Sequence, residues 1–166
     1  MKTRHIAVLL AALALGGCAT SVSAPVAVQA LSASAPLHIS DISADAAPDV
    51  QVGEGDLGMI TQKVRAYIQA EAPTVMSDAG ASAYMMKIHV TRFERGNAFA
   101  RAMLAGLGQI HIEGTIDLVD ASGKKLAEYK VSKDFALGGI AGGTTTVDDV
   151  EDGFAKSIAE IVKQKA

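Results

Sequence analysis

The segment QIHIEGTIDLVDASGKKLAEYKVSKDF, residues 109–135, alternates apolar and polar residues on both sides of a short polar turn. Such alternation puts one face of each strand in a core and the other in water, so the segment predicts a β-hairpin. The turn is Asp120–Gly123, in which Gly123 can take the left-handed bulge position. This hairpin organises the predicted fold.

The turn also predicts a register for the hairpin. Pairing Val119 with Lys124 across the turn sets Glu113 opposite Lys130. Opposite charges at facing positions stabilise an antiparallel pair, so this register is the favourable one.

Two further strands and two helices are predicted around the hairpin. Tyr84–Glu94 alternates as the hairpin strands do, and Leu37–Ser43 predicts a short first strand. Apolar residues at helical spacing predict one helix from an N-cap at Asp56 to about Ala72 and another after Thr146.

The predicted order is strand, helix, three strands, helix. Each helix has one apolar stripe and each strand one apolar face, so packing both helices on one sheet face buries all of these surfaces. The predicted class is therefore an α+β two-layer sandwich with a small, mixed, mostly antiparallel four-stranded sheet. Residues 37–166 suffice for one such domain.

The first 17 residues predict a signal peptide. Lys2 and Arg4 precede an apolar run from Ile6 to Leu15. A membrane-spanning helix needs about 20 residues, whereas this length suits the core of an export signal.

The block Leu15-Gly16-Gly17-Cys18 contains the only cysteine of the chain. It resembles the lipobox of bacterial lipoprotein precursors. That resemblance implies cleavage before Cys18 and attachment of fatty chains such as palmitate; a reactive thiol or an intermolecular disulfide are the alternatives. Ala19 stands where lipoproteins of the inner membrane often carry Asp, which implies the periplasmic side of the outer membrane.

Residues 18–36 predict a lipidated cysteine followed by a flexible tether, because the tract is rich in Ala, Ser, Val and Pro and lacks periodicity. Without the two basic residues of the leader, 13 basic and 18 acidic residues remain, a net charge of −5. This balance argues against nucleic acid as a general partner.

Gly53, Gly55 and Gly58 have the G-x-G-x-x-G spacing ahead of a helix. A dinucleotide site needs a preceding strand and no negative charge at the pyrophosphate, but Glu54 and Asp56 occupy that position. We interpret the segment as a loop ending in a helix cap and predict no cofactor.

His89, His111 and Glu113 are predicted on the wet sheet face, where they could hold a transition metal if their strands are neighbours. Solvated histidines are common on such faces, so no metal site is predicted. A periplasmic protein that binds a metal or small ligand on this face is the alternative function.

Two glycine-rich apolar stretches, residues 97–108 and 136–144, flank the hairpin and should lie at one end of the sheet. They either cap the core or form a contact surface for lipid or an envelope protein. The residues of that predicted surface are Arg101, Met103, Leu104, Leu107, Leu137 and Ile140.

The chain resembles a family of uncharacterised bacterial lipoproteins known as a domain of unknown function. The matching blocks are Gly96-Asn97, Arg101, Leu104–Gly108, Val119-Asp120, Ser122–Lys124, Gly138-Gly139, Gly142-Gly143, Asp149–Glu151 and Gly153–Ala155. The resemblance implies an exported, lipid-anchored α+β domain and brings no reaction or ligand with it.

No arrangement of nucleophile, base and acid stands out, so no enzyme activity is predicted. The sequence predicts a lipid-anchored accessory or interaction module of the cell envelope, with the membrane and unknown envelope proteins as its partners.

Overall fold

The computed structural model describes residues 25–30, 37–76, 83–104, 107–135 and 143–165. These residues form one sheet covered on one face by helices. In chain order the elements are β1 (Val26–Gln29), β2 (Ile39–Ala46), α1 (Glu54–Glu71), a 3₁₀ helix (Pro73–Val75), β3 (Tyr84–Glu94), α2 (Ala98–Met103), β4 (Ile110–Val119), β5 (Lys125–Phe135) and α3 (Val147–Lys163).

The spatial order of the strands is β1-β5-β4-β3-β2. β2 runs parallel to β3, and the other neighbours are antiparallel. The crossover between the two parallel strands is α1, which packs beside α3. The α+β class is as predicted, and the mixed, mostly antiparallel pairing is also as predicted.

The predicted numbers of strands and helices are wrong. Among the described residues the sheet has five strands, because β1 lies within the segment interpreted as a tether, and α2 adds a third helix. All four side chains of β1 are exposed, so no alternation marks this strand in the sequence. α2 has only six residues, too few to show a helical stripe.

The core lies between the helices and one sheet face. Ile60, Val64 and Ile68 of α1 and Phe154 and Ile158 of α3 have no solvent exposure. They pack in one cluster with the alternate apolar residues of β3, β4 and β5, as their spacing predicted.

The β4–β5 hairpin forms, but its predicted register is wrong. The error is one residue beside the turn and two residues in the rest of the hairpin. Val119 pairs with Lys125, and an irregularity beside it leaves Lys130 opposite Thr115 instead of Glu113. The glycine of the turn has φ +82°, as predicted for a left-handed position. A bulge adds an unpaired residue to one strand and so shifts every pair beyond it.

Side-chain hydrogen bonds fix where α1 and α3 begin. α1 begins earlier than predicted: its N-cap is Gly53, and Asp56 lies in the first turn, where its carboxylate accepts the Gly53 N–H at 3.1 Å. Thr146 caps α3, as its predicted start implies, and forms a capping box with Asp149. The backbone N–H and the hydroxyl of Thr146 hold the pKa of the Asp149 carboxyl below its usual value.

Gly114→Ala tests the packing between the sheet and α3, and Gly58→Ala, in α1, is its control. A Cβ at position 114 would lie 3.0 Å from the His89 carbonyl oxygen and 3.1 Å from Cζ of Phe154. We expect Gly114→Ala to lower the free energy of unfolding by about 1–3 kcal/mol through overpacking. At position 58, such a Cβ would have no atom within 4 Å apart from its chain neighbours and the backbone of its own helix, so Gly58→Ala should raise the free energy of unfolding by about 0.5–1 kcal/mol.

Urea unfolding of both variants and the unmodified protein measures the two changes. A stabilising Gly114→Ala would contradict the close approach of Phe154 to β4.

Candidate contact surface at the 96–108 loop

The connection from β3 to β4 lies at one end of the sheet with the first turns of α1 and α3. Arg95 forms a 2.5 Å ion pair with Asp56 of α1. Arg101 reaches the Thr145 carbonyl, which directly precedes the cap of α3. A Cβ at Gly143 would lie 3.2 Å from the Cβ of Ala102, so the described parts of the two glycine-rich stretches approach each other at this end.

Two glycines close this connection into a loop, residues 96–108. Gly96 and Gly108 have φ +64° and +70°, which side-chain-bearing residues rarely adopt. The Asn97 N–H donates to the Gly108 carbonyl at 3.0 Å, and a Cβ at Gly96 would collide with that same oxygen. The Asn97 side chain accepts the Ala100 N–H at 3.0 Å and so caps α2.

Arg101 stabilises the loop from its buried side. Its side chain is buried, with 3% exposure. One guanidinium nitrogen donates to the Gly108 carbonyl at 2.8 Å, and the other donates to the Thr145 carbonyl at 2.9 Å. The prediction that Arg101 belongs to the exposed surface is therefore wrong: the residue positions the loop, because a buried guanidinium must keep its hydrogen-bond partners.

The outer side of the loop is apolar and exposed. Phe99, Met103, Leu104 and Leu107 have exposed fractions of 76%, 66%, 54% and 56%. We call these four residues the α2 ridge. They do not cap the core, which was the alternative that the sequence left open. Leu137 and Ile140 of the predicted surface lie outside the described residues.

The opposite directions of Arg101 and the ridge follow from helix geometry. Phe99 and Met103 stand two positions before and after Arg101, and two positions turn a helix by about 200°. Burying Arg101 therefore points both apolar side chains to solvent. The sequence signal for this arrangement is an arginine two positions from an apolar residue on each side. Because arginine is usually exposed, the sequence predicts a surface position for Arg101 instead.

The sheet register separates the two histidines of the candidate metal site. His89 of β3 lies opposite Thr115 of β4, four positions along the strand from His111. At about 3.3 Å per residue, this spacing is roughly 13 Å. His89 instead lies 2.5 Å from the Asp45 carboxylate on β2.

His111 pairs with Asp134 across β4 and β5, and its Nε2 lies 3.5 Å from Oε2 of Glu113. Across the described ranges, no group of three His, Cys, Asp or Glu side chains is arranged to hold a metal ion. Gly55 and Gly58 of the G-x-G-x-x-G segment lie inside α1, where they cannot form a phosphate loop.

A polar seam joins α1 and α3. Lys63 Nζ lies 2.7 Å from Oδ1 of Asp148 and 3.7 Å from Oε2 of Glu151. The Tyr67 hydroxyl donates a hydrogen bond to Oδ2 of Asp152 at 2.5 Å. Glu151 is buried with 4% exposure, and this burial raises the pKa of its carboxyl. An open cleft lies between α1 and β2, lined by Ala44, Leu57 and Arg65 among others, and none of the seam residues lines it. We therefore interpret the seam as a structural contact between the two helices.

Arg101→Met tests whether the buried guanidinium holds the loop. The change keeps an apolar stem of similar reach but leaves the two carbonyls without these donors. We expect it to lower the free energy of unfolding by about 2–4 kcal/mol, because buried hydrogen bonds to a charged group are lost.

Arg92→Met is the matched control, since Arg92 is half exposed and pairs with Glu94 at the surface. It should change stability by less than about 1 kcal/mol. Equal effects of the two variants in urea unfolding would show that Arg101 does not support the loop.

Crystal structures of PelC from Paraburkholderia phytofirmans share this fold. The PelC dodecamer has a TM-score of 0.56 and 10% identity, with 82% of this chain and 96% of that chain covered. A variant of the same protein gives a TM-score of 0.56 at 9% identity, with 84% and 97% covered. These low identities establish a common fold alone.

A crystal structure from Caulobacter crescentus CB15, provisionally described as a lipoprotein, has a TM-score of 0.41 and 16% identity, with 74% and 85% of the chains covered. No curated protein matches the sequence. Residues 38–139 match the family described as "Domain of unknown function (DUF4410)". That span is more than half of the chain and contains the blocks from Gly96 to Lys124, so the protein belongs to the DUF4410 family.

Proposed function

We propose that this protein is a lipid-anchored accessory module of the cell envelope that makes its contacts through the α2 ridge and catalyses no reaction. Residues 1–17 direct export, and fatty chains on Cys18 hold the domain at the periplasmic side of the outer membrane. Cys18 and the lipobox residues Leu15, Gly16 and Gly17 lie outside the described residues, so this part of the proposal rests on their sequence.

The observation that carries the proposal is the exposure of the α2 ridge. Full burial of one large apolar side chain contributes about 1.5–3 kcal/mol, so four exposed ones offer a substantial contact. Specific interactions also hold the ridge in place: two glycines in the left-handed conformation, an Asn cap and a buried arginine support the loop that carries it. An apolar patch with such dedicated support is typical of an interaction site.

The anchor has its own support in the order of basic start, apolar run, small residues and cysteine. Several acyl chains, each contributing about 0.8 kcal/mol per buried methylene, make attachment stable. Within the described part of the chain, no helix is long and apolar enough to cross a bilayer.

The contacts of the ionisable side chains support an accessory role over a chemical one. His89 pairs with Asp45, His111 pairs with Asp134, and Glu151 lies within the seam between α1 and α3. A metal-binding role would need the two histidines to meet, whereas the register keeps them about 13 Å apart.

Site-specific photocrosslinking in intact cells tests both parts of the proposal. A photoreactive phenylalanine analogue replaces Leu104 on the ridge or, as control, Ser122 in the exposed turn at the opposite end. We expect the yield of crosslinked envelope adducts from position 104 to be at least about fivefold higher than from position 122. Exposed apolar side chains are favourable contact sites, because contact removes them from water.

The same cells are labelled with palmitate. Cys18→Ala should abolish both the label and recovery of the protein in the outer-membrane fraction. Equal crosslinking at the two positions contradicts the ridge as the contact surface, and an unlabelled protein with Cys18 intact contradicts the anchor.

A further inference from the structure

The direction of β1 shows where the amino-terminal segment leaves the domain. β1 is antiparallel to β5, with Val26 opposite Lys130 and Gln29 opposite Glu128. Following the chain backwards from Gln29 to Val26 therefore leads towards the carboxyl end of β5, at Phe135.

That end of the sheet is the end that carries the α2 ridge. Phe135 pairs with Ile110 at the start of β4, and Glu94 at the end of β3 pairs with His111. The loop of residues 96–108 connects these two strand ends. Followed backwards from Gln29 to Val26, β1 thus runs towards the end of the sheet that carries the ridge.

The distances allow the anchor to bring the ridge to a membrane. From Lys130 to Phe135 the sheet extends about 17 Å, at 3.4 Å per residue. The eight residues from Cys18 to Val26 span at most about 28 Å when extended. A lipid on Cys18 can therefore lie up to about 11 Å beyond the end of β5, which is the end of the sheet that carries the ridge.

The two arginines beside the ridge are each paired with a carboxylate. Arg95 pairs with Asp56 and stacks over the Phe93 ring, 5.5 Å from its centroid. Arg92 pairs with Glu94 at 2.7 Å. The ridge therefore offers an uncharged apolar surface whose entry into a membrane interface needs no anionic lipid.

We infer that the occupant of the α2 ridge is the bilayer itself: Phe99, Met103, Leu104 and Leu107 enter the headgroup–acyl boundary of the membrane that holds Cys18. The inference rests on the proposed lipid anchor and names the partner of the same surface. The acyl chains tether the domain, and the ridge fixes its orientation, with the β4–β5 turn pointing away from the membrane.

Tryptophan fluorescence can test this inference, because the natural chain contains no tryptophan. Phe99→Trp places a single fluorophore on the ridge, and Ser122→Trp places one in the opposite turn as the matched control. Both are made as the full lipidated protein and reconstituted in phosphatidylethanolamine–phosphatidylglycerol vesicles, with and without acyl chains brominated near the headgroup.

We expect brominated lipid to reduce the Phe99→Trp emission at least twofold and to leave the Ser122→Trp emission unchanged. Quenching should persist at high salt, because the contact is apolar. Met103→Trp, on the same ridge, should behave like Phe99→Trp and guards against a local distortion at position 99.

Three results would overturn the inference. Unquenched, water-like emission from protein that floats with the vesicles would show that the ridge faces solvent while the anchor holds. Blue-shifted but unquenched emission would show that a second copy of the chain covers the ridge. Failure of the Cys18-containing protein to float with vesicles would overturn the anchor and the inference together.

Discussion

The buried guanidinium of Arg101 is the interaction on which the functional end of this domain depends. It joins the Gly108 carbonyl, at the close of the 96–108 loop, to the Thr145 carbonyl, just before α3. A charge removed from water has to keep such partners, so the loop cannot turn this residue outward at low cost. The six-residue helix that contains Arg101 must then expose the apolar side chains on its other side.

The sheet topology determines where the 96–108 loop lies relative to β1. β5 pairs with β4 on one side and with β1 on the other, so β1 and the strand that follows the 96–108 loop are related through β5. A single arrangement thus accounts for the exposed ridge, its glycine-rich support and its position relative to the proposed anchor. The polar seam joins α1 to α3.

Periodicity predicted most of the scaffold. β3 was predicted at its observed bounds, Tyr84–Glu94, because one face of it is buried and alternation is visible. β1 was missed since neither of its faces is buried, and the hairpin register failed at a bulge that no side-chain pattern encodes. For the site, the sequence left open whether Met103, Leu104 and Leu107 cap the core or face solvent, and the structure exposes all three. The burial of Arg101 depends on tertiary carbonyl groups that the sequence does not show.

The most direct test of the preformed loop is amide hydrogen exchange measured residue by residue by NMR. The N–H groups of Asn97 and Arg101 donate to Gly108 and Asn97 carbonyls within the loop. The account predicts that both amides exchange at least roughly 100-fold more slowly than in an unstructured peptide. Exchange at the unstructured rate, with β3 and β4 still protected, would contradict it.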